Sequence, residues 1–147
     1  MSANSALPLI VFSGGYDRVH YALVLASAAA AINYKVTLFF TGRALKALLA
    51  ENAENKAATP GWHRLDPADD GAPAADRDAS LRAGGVAGFE ELLLACRDLG
   101  VSFMVCEMAV RALDLPSPPL WRSDLPVQAV GVVTFLQHTT GGAPLFI

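Results

Sequence analysis

The sequence predicts an α/β fold in which a five-stranded, mainly parallel sheet is flanked by helices. Short apolar runs alternate along the chain with longer segments in which apolar residues recur at helical spacing. Most connections between them are short, as in βαβ crossovers. The chain has 147 residues, of which 53% are hydrophobic and 17% charged, so it can bury a sizeable core. We therefore expect a single domain over residues 1–147.

The first strand and the first helix are expected on either side of a glycine pair. "LPLIVFS", residues 7–13, is a continuous apolar run that ends at two glycines, which is typical of a buried strand followed by a tight turn. "YDRVHYALVLASAAAAINY", residues 16–34, has apolar side chains at helical spacing. Asp17 lies where it could cap the start of that helix.

The segment after this helix begins regularly and then loses its periodicity. "KVTLFFT", residues 35–41, predicts a second buried strand, and "RALKALLAENAEN", residues 43–55, predicts an amphipathic helix. Residues 56–86 are rich in Pro, Gly, Asp and Ala. We expect a long irregular loop there, more mobile than the rest, because this composition cannot bury a core of its own.

In the last third of the chain, predicted strands and helices alternate again. "AGFEELLLACRDLG" predicts a helix whose buried face carries Phe89, Leu92, Leu93, Cys96 and Leu99. "VSFMVC", "DLPVQAV" and "APLFI" predict the third, fourth and fifth strands, at residues 101–106, 126–130 and 143–147. Shorter helices are expected between these strands, in "EMAVRALDL" and "GVVTFLQHTT".

Composition and charge exclude several classes of function. The net charge is −3 and basic residues are scattered, which disfavours a nucleic-acid partner. The apolar stretches are too short to cross a bilayer, and the N-terminus lacks the pattern of a signal peptide, so we expect a cytoplasmic protein without a membrane partner. Two cysteines and three histidines have no metal-site spacing, so no metal is predicted. The apolar surplus favours burial between subunits of a homo-oligomer.

Cys106 is the candidate reactive residue. It stands at the predicted carboxyl end of the third strand, where parallel sheets collect ligands, and at the start of a helix, where free amides favour a thiolate. The neighbouring Glu107 carboxylate opposes ionisation of the Cys106 thiol. Arg111 would offset this effect only if its side chain pointed back toward Cys106. A buried structural thiol is the alternative, since free cysteine is among the most buried residue types. Cys96, on an apolar helix face, is expected in the core.

The glycine-containing loop after the first strand is a second candidate site. Its backbone amides could approach an anion, although a plain strand-to-helix turn is the alternative. "SGGYD" is similar to the SGGxDS loop of ATP pyrophosphatases, with Arg18 in place of the final serine. His20 could carry a proton near Cys106, or only cap or cover the surface. The candidate pocket residues are Ser13, Gly14, Gly15, Tyr16, Asp17 and His20.

The order of these features resembles the DsrE/DsrF-like family, which includes sulfur-relay subunits. The matching segments are "IVFSGGYDRVHYALVLASAAAA", "YKVTLFFTGRALKALL", "LLLACRDLGVSFMVCEMAVRAL" and "LPVQAVGVVTFLQHTTGGAPLFI". The resemblance covers nearly the whole chain outside residues 56–86. It implies a flavodoxin-like, three-layer α/β/α fold, assembly into trimers or hexamers, and a persulfide carried on Cys106.

The leading expectation is a sulfur-handling protein with sulfur-relay or sulfurtransferase-like activity. Cys106 would accept a sulfane sulfur from a donor protein and pass it to an acceptor protein. No organic cofactor is expected, because sulfur transfer resembles thiol–disulfide exchange in its nucleophilic step. Two alternatives remain open. One is a nucleotide- or anion-binding module that uses the Ser-Gly-Gly loop, and the other is a non-catalytic oligomeric protein.

Overall fold

The computed structural model describes residues 5–50, 59–115 and 121–147. Strands and helices alternate through these ranges. The elements are β1 (Ala6–Val11), α1 (Tyr16–Ala31), β2 (Lys35–Phe40), α2 (Ala74–Ala83), α3 (Phe89–Asp98), β3 (Ser102–Cys106), α4 (Glu107–Ala112), β4 (Val127–Val130), α5 (Val132–His138) and β5 (Leu145–Phe146). Two 3₁₀ helices, Gly42–Leu48 and Gly61–Arg64, lie between β2 and α2.

The five strands form one sheet in the order β4-β3-β2-β1-β5. Every neighbouring pair in it is parallel. The predicted five-stranded sheet is therefore confirmed, and the strand boundaries agree to within about two residues. The register aligns Val11 with Phe40 and Phe40 with Val105. The carboxyl ends of β1, β2 and β3 consequently meet at one edge of the sheet, with β2 in the middle.

Helices cover both faces of the sheet, as in a flavodoxin-like three-layer α/β/α arrangement. The connections from β1 to β2 through α1 and from β2 to β3 through α3 run in the same direction along the sheet. The two helices pack against each other. The crossover through α5 steps in the opposite direction, so the right-handed rule places α5 on the other face. The Phe135 ring of α5 stacks on Phe39 at a centroid distance of 4.3 Å. Phe39 points away from Leu38 and Phe40, because side chains alternate along a strand.

The helices contribute very unequally to the core. α1 buries the seven residues Tyr16, Val19, His20, Ala22, Leu23, Ala26 and Ala29. α3 buries Phe89, Leu92, Leu93 and Cys96, as its periodicity predicts, although Leu99 is 45% exposed and lies beyond the helix end. α5 buries only Phe135. In the described ranges no helix has the length and apolarity needed to span a membrane.

Two expectations about local structure are wrong. The amphipathic helix predicted for 43–55 is a 3₁₀ helix over Gly42–Leu48, and its final residues, 51–55, lie outside the described ranges. The following residue, Leu49, is extended because it is bonded to a neighbouring segment through an antiparallel bridge with Trp121. Asp17 does not cap α1 either. Gly15 is the N-cap residue, and the Asp17 carboxylate accepts a hydrogen bond from the Asp69 amide instead.

The loop expected over 56–86 contains regular structure in its described part. Besides the 3₁₀ helix at Gly61–Arg64, it forms the ten-residue helix α2. Trp62 in this segment is 3% exposed and stacks on Phe89 at 5.0 Å. The expectation of an irregular segment is therefore wrong for these residues. The composition was misleading because α2 is attached through the buried carboxylate of Asp78 and not through an apolar face.

Candidate functional site

Cys106 is the last residue of β3 and the N-cap of α4. It is aligned with Val130 of β4, and the alternation of side chains along β3 places it on the same sheet face as Met104 and Phe39. This is the face that α5 covers. The strand-end position predicted from the sequence is thus observed. Cys106 is nevertheless buried, with only 4% of its surface exposed.

The charged neighbours of Cys106 point outward. Glu107 and Arg111 both belong to α4 and both are exposed, whereas Ala109 is the one residue that this helix buries. A helix of six residues with one buried side chain contributes little packing energy of its own. The Cys106 thiol is shielded in this structure, and the short helices α4 and α5 closely follow Cys106 and Val130 along the chain.

Cys96 is a core thiol, as the helical pattern predicts. It is fully buried on α3, and its Sγ donates a long hydrogen bond of 3.7 Å to the Leu23 carbonyl of α1. Burial raises the pKa of the Cys96 thiol to about 12, so the thiolate is scarce near neutral pH. Both cysteines are free thiols. The two sulfur atoms thus differ in environment, and Cys106 is the one that lies at the carboxyl edge of the sheet.

The Ser-Gly-Gly loop is engaged by another part of the same chain. The Gly15 amide donates to the Ser13 Oγ at 3.2 Å, and the Tyr16 amide donates to the Asp66 carbonyl at 3.1 Å. The Asp66 amide in turn donates to the Gly14 carbonyl at 2.7 Å. A Cβ at Gly14 would lie 2.6 Å from the Arg43 Cβ, so this position requires glycine for space. The Gly15 and Tyr16 amides that an anion would use are already bonded.

Tyr16 and His20 are buried rather than exposed at a pocket mouth. The Tyr16 hydroxyl donates a 2.6 Å hydrogen bond to the Asp78 carboxylate. Burial and this bond to an anion raise the pKa of Tyr16 far above its usual value. The Nε2 atom of His20 lies 2.9 Å from the Ala87 carbonyl. β2 separates β1, which leads into α1, from β3, which carries Cys106, so the structure does not place His20 beside the thiol.

A buried polar network links three helices at this edge. The Oδ1 atom of Asp78 accepts hydrogen bonds from the Tyr16 hydroxyl and, at 2.7 Å, from the Phe89 amide at the start of α3. Its Oδ2 atom accepts from Arg82 at 2.9 Å. Burial alone would raise the pKa of Asp78, but these hydrogen bonds outweigh it and the pKa lies below its usual range. The carboxylate therefore stays ionised while 3% exposed.

Arg122 is the centre of a second polar cluster. Its guanidinium binds Glu90, with a 2.8 Å contact from Nη2 to Oε2, and Asp124 at 2.7 Å. The Trp62 indole N–H also donates to Glu90 at 2.8 Å. The cluster lines a cavity of about 670 Å³, while Trp62 and Asp78 line a second cavity of about 440 Å³. Across the described ranges, no three His, Cys, Asp or Glu side chains are grouped as metal ligands.

The comparison with known proteins assigns the chain to a family. A model of the DsrE/DsrF-like family matches residues 9–142. The chain belongs to this family. The chain is also similar to the sulfur carrier protein DsrE2 of Allochromatium vinosum, with 30% identity over 127 aligned residues. That match covers 75% of this chain and 79% of the relative.

The DsrE/DsrF-like match spans every site described above, from the Ser-Gly-Gly loop to α5. It includes Asp78 and Arg122, which the sequence pattern did not single out. Neither residue belongs to a motif, and both stand among other charged residues. The buried Asp78 carboxylate and the largely buried Arg122 guanidinium are recognisable only once their contacts with Tyr16, Phe89 and Glu90, distant along the chain, are known. The place of Cys106 at the end of β3, in contrast, could be predicted, because the end of an apolar run marks the end of a strand.

Proposed function

We propose that this DsrE/DsrF-like protein handles sulfane sulfur, with Cys106 as the residue that carries it. The observation that supports the proposal is the 30% identity to a sulfur carrier protein, over most of both chains. The other cysteine of the chain, Cys96, is fully buried in the core, which leaves Cys106 as the candidate. Cys106 ends a central strand at the edge where parallel sheets place their chemistry. We infer that its partners are proteins that donate and accept sulfur.

The proposed step is a thiol exchange. The Cys106 thiolate attacks the terminal sulfur of a donor persulfide, a new S–S bond forms, and the donor's own S–S bond breaks. The donor leaves as a thiolate and takes up the proton, so no oxidant or reductant is consumed. The reverse attack by an acceptor thiolate on the outer sulfur returns Cys106 to its starting state. The nucleophilic step follows the rules of thiol–disulfide exchange.

Intact-mass analysis after incubation with inorganic polysulfide tests this proposal. Wild type should gain the mass of one sulfur atom, and a reductant should remove it. Cys106→Ser should gain none, whereas Cys96→Ser should behave like wild type. Retention of the added sulfur in Cys106→Ser, or its absence from wild type, would exclude the role of Cys106.

Binding of an anion or a nucleotide at the Ser-Gly-Gly loop is the less favoured function. The Gly15 and Tyr16 amides are bonded within the chain, and the Asp66 carboxylate lies beside Gly14, where it would repel an anion. Arg43, whose side chain lies beside Gly14, is paired with Asp66 at 2.7 Å. Saturable binding of ATP or pyrophosphate by wild type, measured by calorimetry, would reverse this preference.

We also propose that the protein is a homo-oligomer, most simply a trimer or a hexamer. Large apolar side chains are exposed at the α5 face and at the β5 edge, namely Phe12, Val132, Val133, Leu136, Leu145 and Phe146. The Phe12 and Phe146 rings lie 5.4 Å apart and form one continuous apolar surface. Apolar surfaces of this kind are commonly covered by a partner subunit. Light scattering that shows a stable monomer at micromolar concentration would contradict this assembly.

A further inference from the structure

Residues 66–83 lie across the start of α1 and cover two of the candidate pocket residues. At one end, Asp66 exchanges backbone hydrogen bonds with Gly14 and Tyr16. In the middle, the Asp17 carboxylate accepts from the Asp69 amide at 2.8 Å and from Arg77 at 3.3 Å. The segment ends with α2, whose Asp78 accepts the Tyr16 hydroxyl. Both Tyr16 and Asp17 therefore take their polar partners from this one segment, which we call the lid.

Apolar packing holds the lid only weakly. α2 buries two of its ten residues, Ala74 and Asp78. Ala68 is buried before the helix, and Leu81 is partly buried. By contrast, α3 buries three large apolar side chains and a cysteine. Because few apolar contacts would be lost, removing the lid from the rest of the fold costs much less hydrophobic free energy than removing α1 or α3.

Asp78 is the buried side chain that attaches the lid to two helices at once. It is the one residue of α2 that binds both α1, through the Tyr16 hydroxyl, and α3, through the Phe89 amide. Without this carboxylate, a closed lid would leave the buried Tyr16 hydroxyl and the Phe89 amide without their acceptor, which is more costly than solvating both groups. Arg82 adds a contact that is largely exposed and therefore weak.

Two glycines flank the lid on its C-terminal side. Gly84 and Gly85 follow α2 directly, Gly85 has a φ of 83°, and a Cβ there would meet no atom within 4 Å. The chain can therefore change direction after α2 without disturbing a packed neighbour. On the N-terminal side, Leu65 is buried and the Trp62 ring is stacked on Phe89, so residues 62–65 remain anchored.

We propose that residues 66–83 open as a unit, released at Asp78, while the sheet, α1 and α3 remain folded. Opening exposes the Tyr16 hydroxyl, the Asp17 carboxylate, the Tyr16 amide and the Gly14 carbonyl at the carboxyl edge of the sheet. The buried network around Asp78 is then the closed state of a lid that controls access to the β1–α1 loop. This inference goes beyond sulfur transfer and does not depend on the chemistry of Cys106.

Amide hydrogen exchange of the wild type, followed by mass spectrometry or NMR, tests the proposal without any mutation. Amides of α2 and of Asp69 should exchange through an opening that leaves the amides of α1 and β1 to β3 protected. Equal protection of α2 and the sheet would show that the lid opens only with global unfolding, and would overturn the proposal.

Asp78→Ala provides the second arm of the test, with Asp76→Ala as the matched control because Asp76 is an exposed acid on the same helix. Loss of hydrogen bonds to a buried carboxylate should raise the exchange rate of α2 by about 10- to 100-fold. Sheet amides should be unaffected, and Asp76→Ala should change neither set. Tyr16→Phe, which keeps the ring, should act in the same direction as Asp78→Ala but less strongly. Equal acceleration in the lid and the sheet, or none in the lid, would refute the role of Asp78.

Limited trypsin digestion gives an independent readout of the same opening. Arg77 and Arg82 are the basic residues within the lid, and cleavage after either requires α2 to unfold or detach locally. Asp78→Ala should be cut after Arg82, whose neighbouring residues are unchanged, sooner than wild type and Asp76→Ala, while Arg97 in α3 stays uncut. Simultaneous cleavage at Arg97 would indicate global unfolding and would contradict the lid.

Discussion

Phe135 is expected to control both the stability of the fold and access to Cys106. It is the single buried residue of the seven-residue helix α5 and is fully inaccessible, with its ring stacked on Phe39. A helix this short does not persist without tertiary packing. Removal of a buried Phe side chain costs about 3–5 kcal/mol, and the stacked pair accounts for about 0.5–1.5 kcal/mol beyond burial. We therefore expect Phe135→Ala to lose at least about 3 kcal/mol of unfolding free energy.

The same substitution should accelerate labelling of Cys106, because α5 covers the sheet face on which the thiol lies. Urea denaturation measures the stability, and iodoacetamide labelling followed by peptide mapping measures the thiol. In wild type, Cys106 should react more slowly than free cysteine, since it is 4% exposed, and yet before Cys96. In Phe135→Ala the Cys106 rate should rise while Cys96 remains protected.

Gln137→Ala is the matched control, because Gln137 is an exposed polar residue of α5 that lies outside the apolar surface proposed for assembly. It should change stability by no more than about 0.5 kcal/mol. If Phe135→Ala were no more destabilising than this control, the single-anchor account of α5 would be wrong. If stability fell but labelling of Cys106 did not change, α5 would not be the element that shields the thiol.

Three further predictions concern the buried polar and thiol groups. The folded-state pKa of Asp78 lies below its unfolded value of about 3.9. The ionised carboxylate therefore stabilises the fold above that pH, and this contribution is lost as the pH falls further. Asp78→Asn should make the urea midpoint depend less steeply on pH in this acid range. Arg122→Leu should lower the unfolding free energy, measured by urea denaturation, by about 1–3 kcal/mol, a range that takes account of the exposure of Glu90 and Asp124. Arg122→Lys should recover only part of this loss, because lysine lacks the bidentate geometry of a guanidinium. Cys96→Ser should cost about 1–3 kcal/mol, because a hydroxyl replaces a thiol in an apolar site; an unchanged denaturation midpoint would contradict the core role of Cys96.

The sheet could be predicted from the sequence because its strands are continuous apolar runs. β1, β2 and β3 are central strands, and a buried central strand needs apolar side chains on both faces, a pattern that is visible without tertiary information. The position of Cys106 follows directly from the end of β3. Its burial does not, because the side chains that cover it come from elements that follow later in the chain.

The errors occur where polar contacts or long-range packing decide the local conformation. α2 has little apolar periodicity, since its main attachment is the Asp78 carboxylate, and so its sequence resembles that of a loop. At Gly42–Leu48 the pattern predicted an α-helix, but Gly61 packs so closely that a Cβ there would lie 2.6 Å from the Lys46 carbonyl oxygen. Close approach of a distant segment at that point is a tertiary effect that helical spacing cannot report.

The order of strands has a consequence for how the chain folds. β2 and β3 join β1 through crossovers that follow it in sequence, so these three strands can assemble progressively. β5 is the strand furthest from β1 along the chain. The other edge of β1 is paired only when β5 docks on it through Leu145 and Phe146. Until then the Leu9–Ile10 edge carries unpaired backbone groups, next to the apolar Phe12, and can add a strand from another chain. Conditions that slow the docking of β5 should therefore favour aggregation during refolding, and a covalent or engineered clamp between β5 and β1 should suppress it.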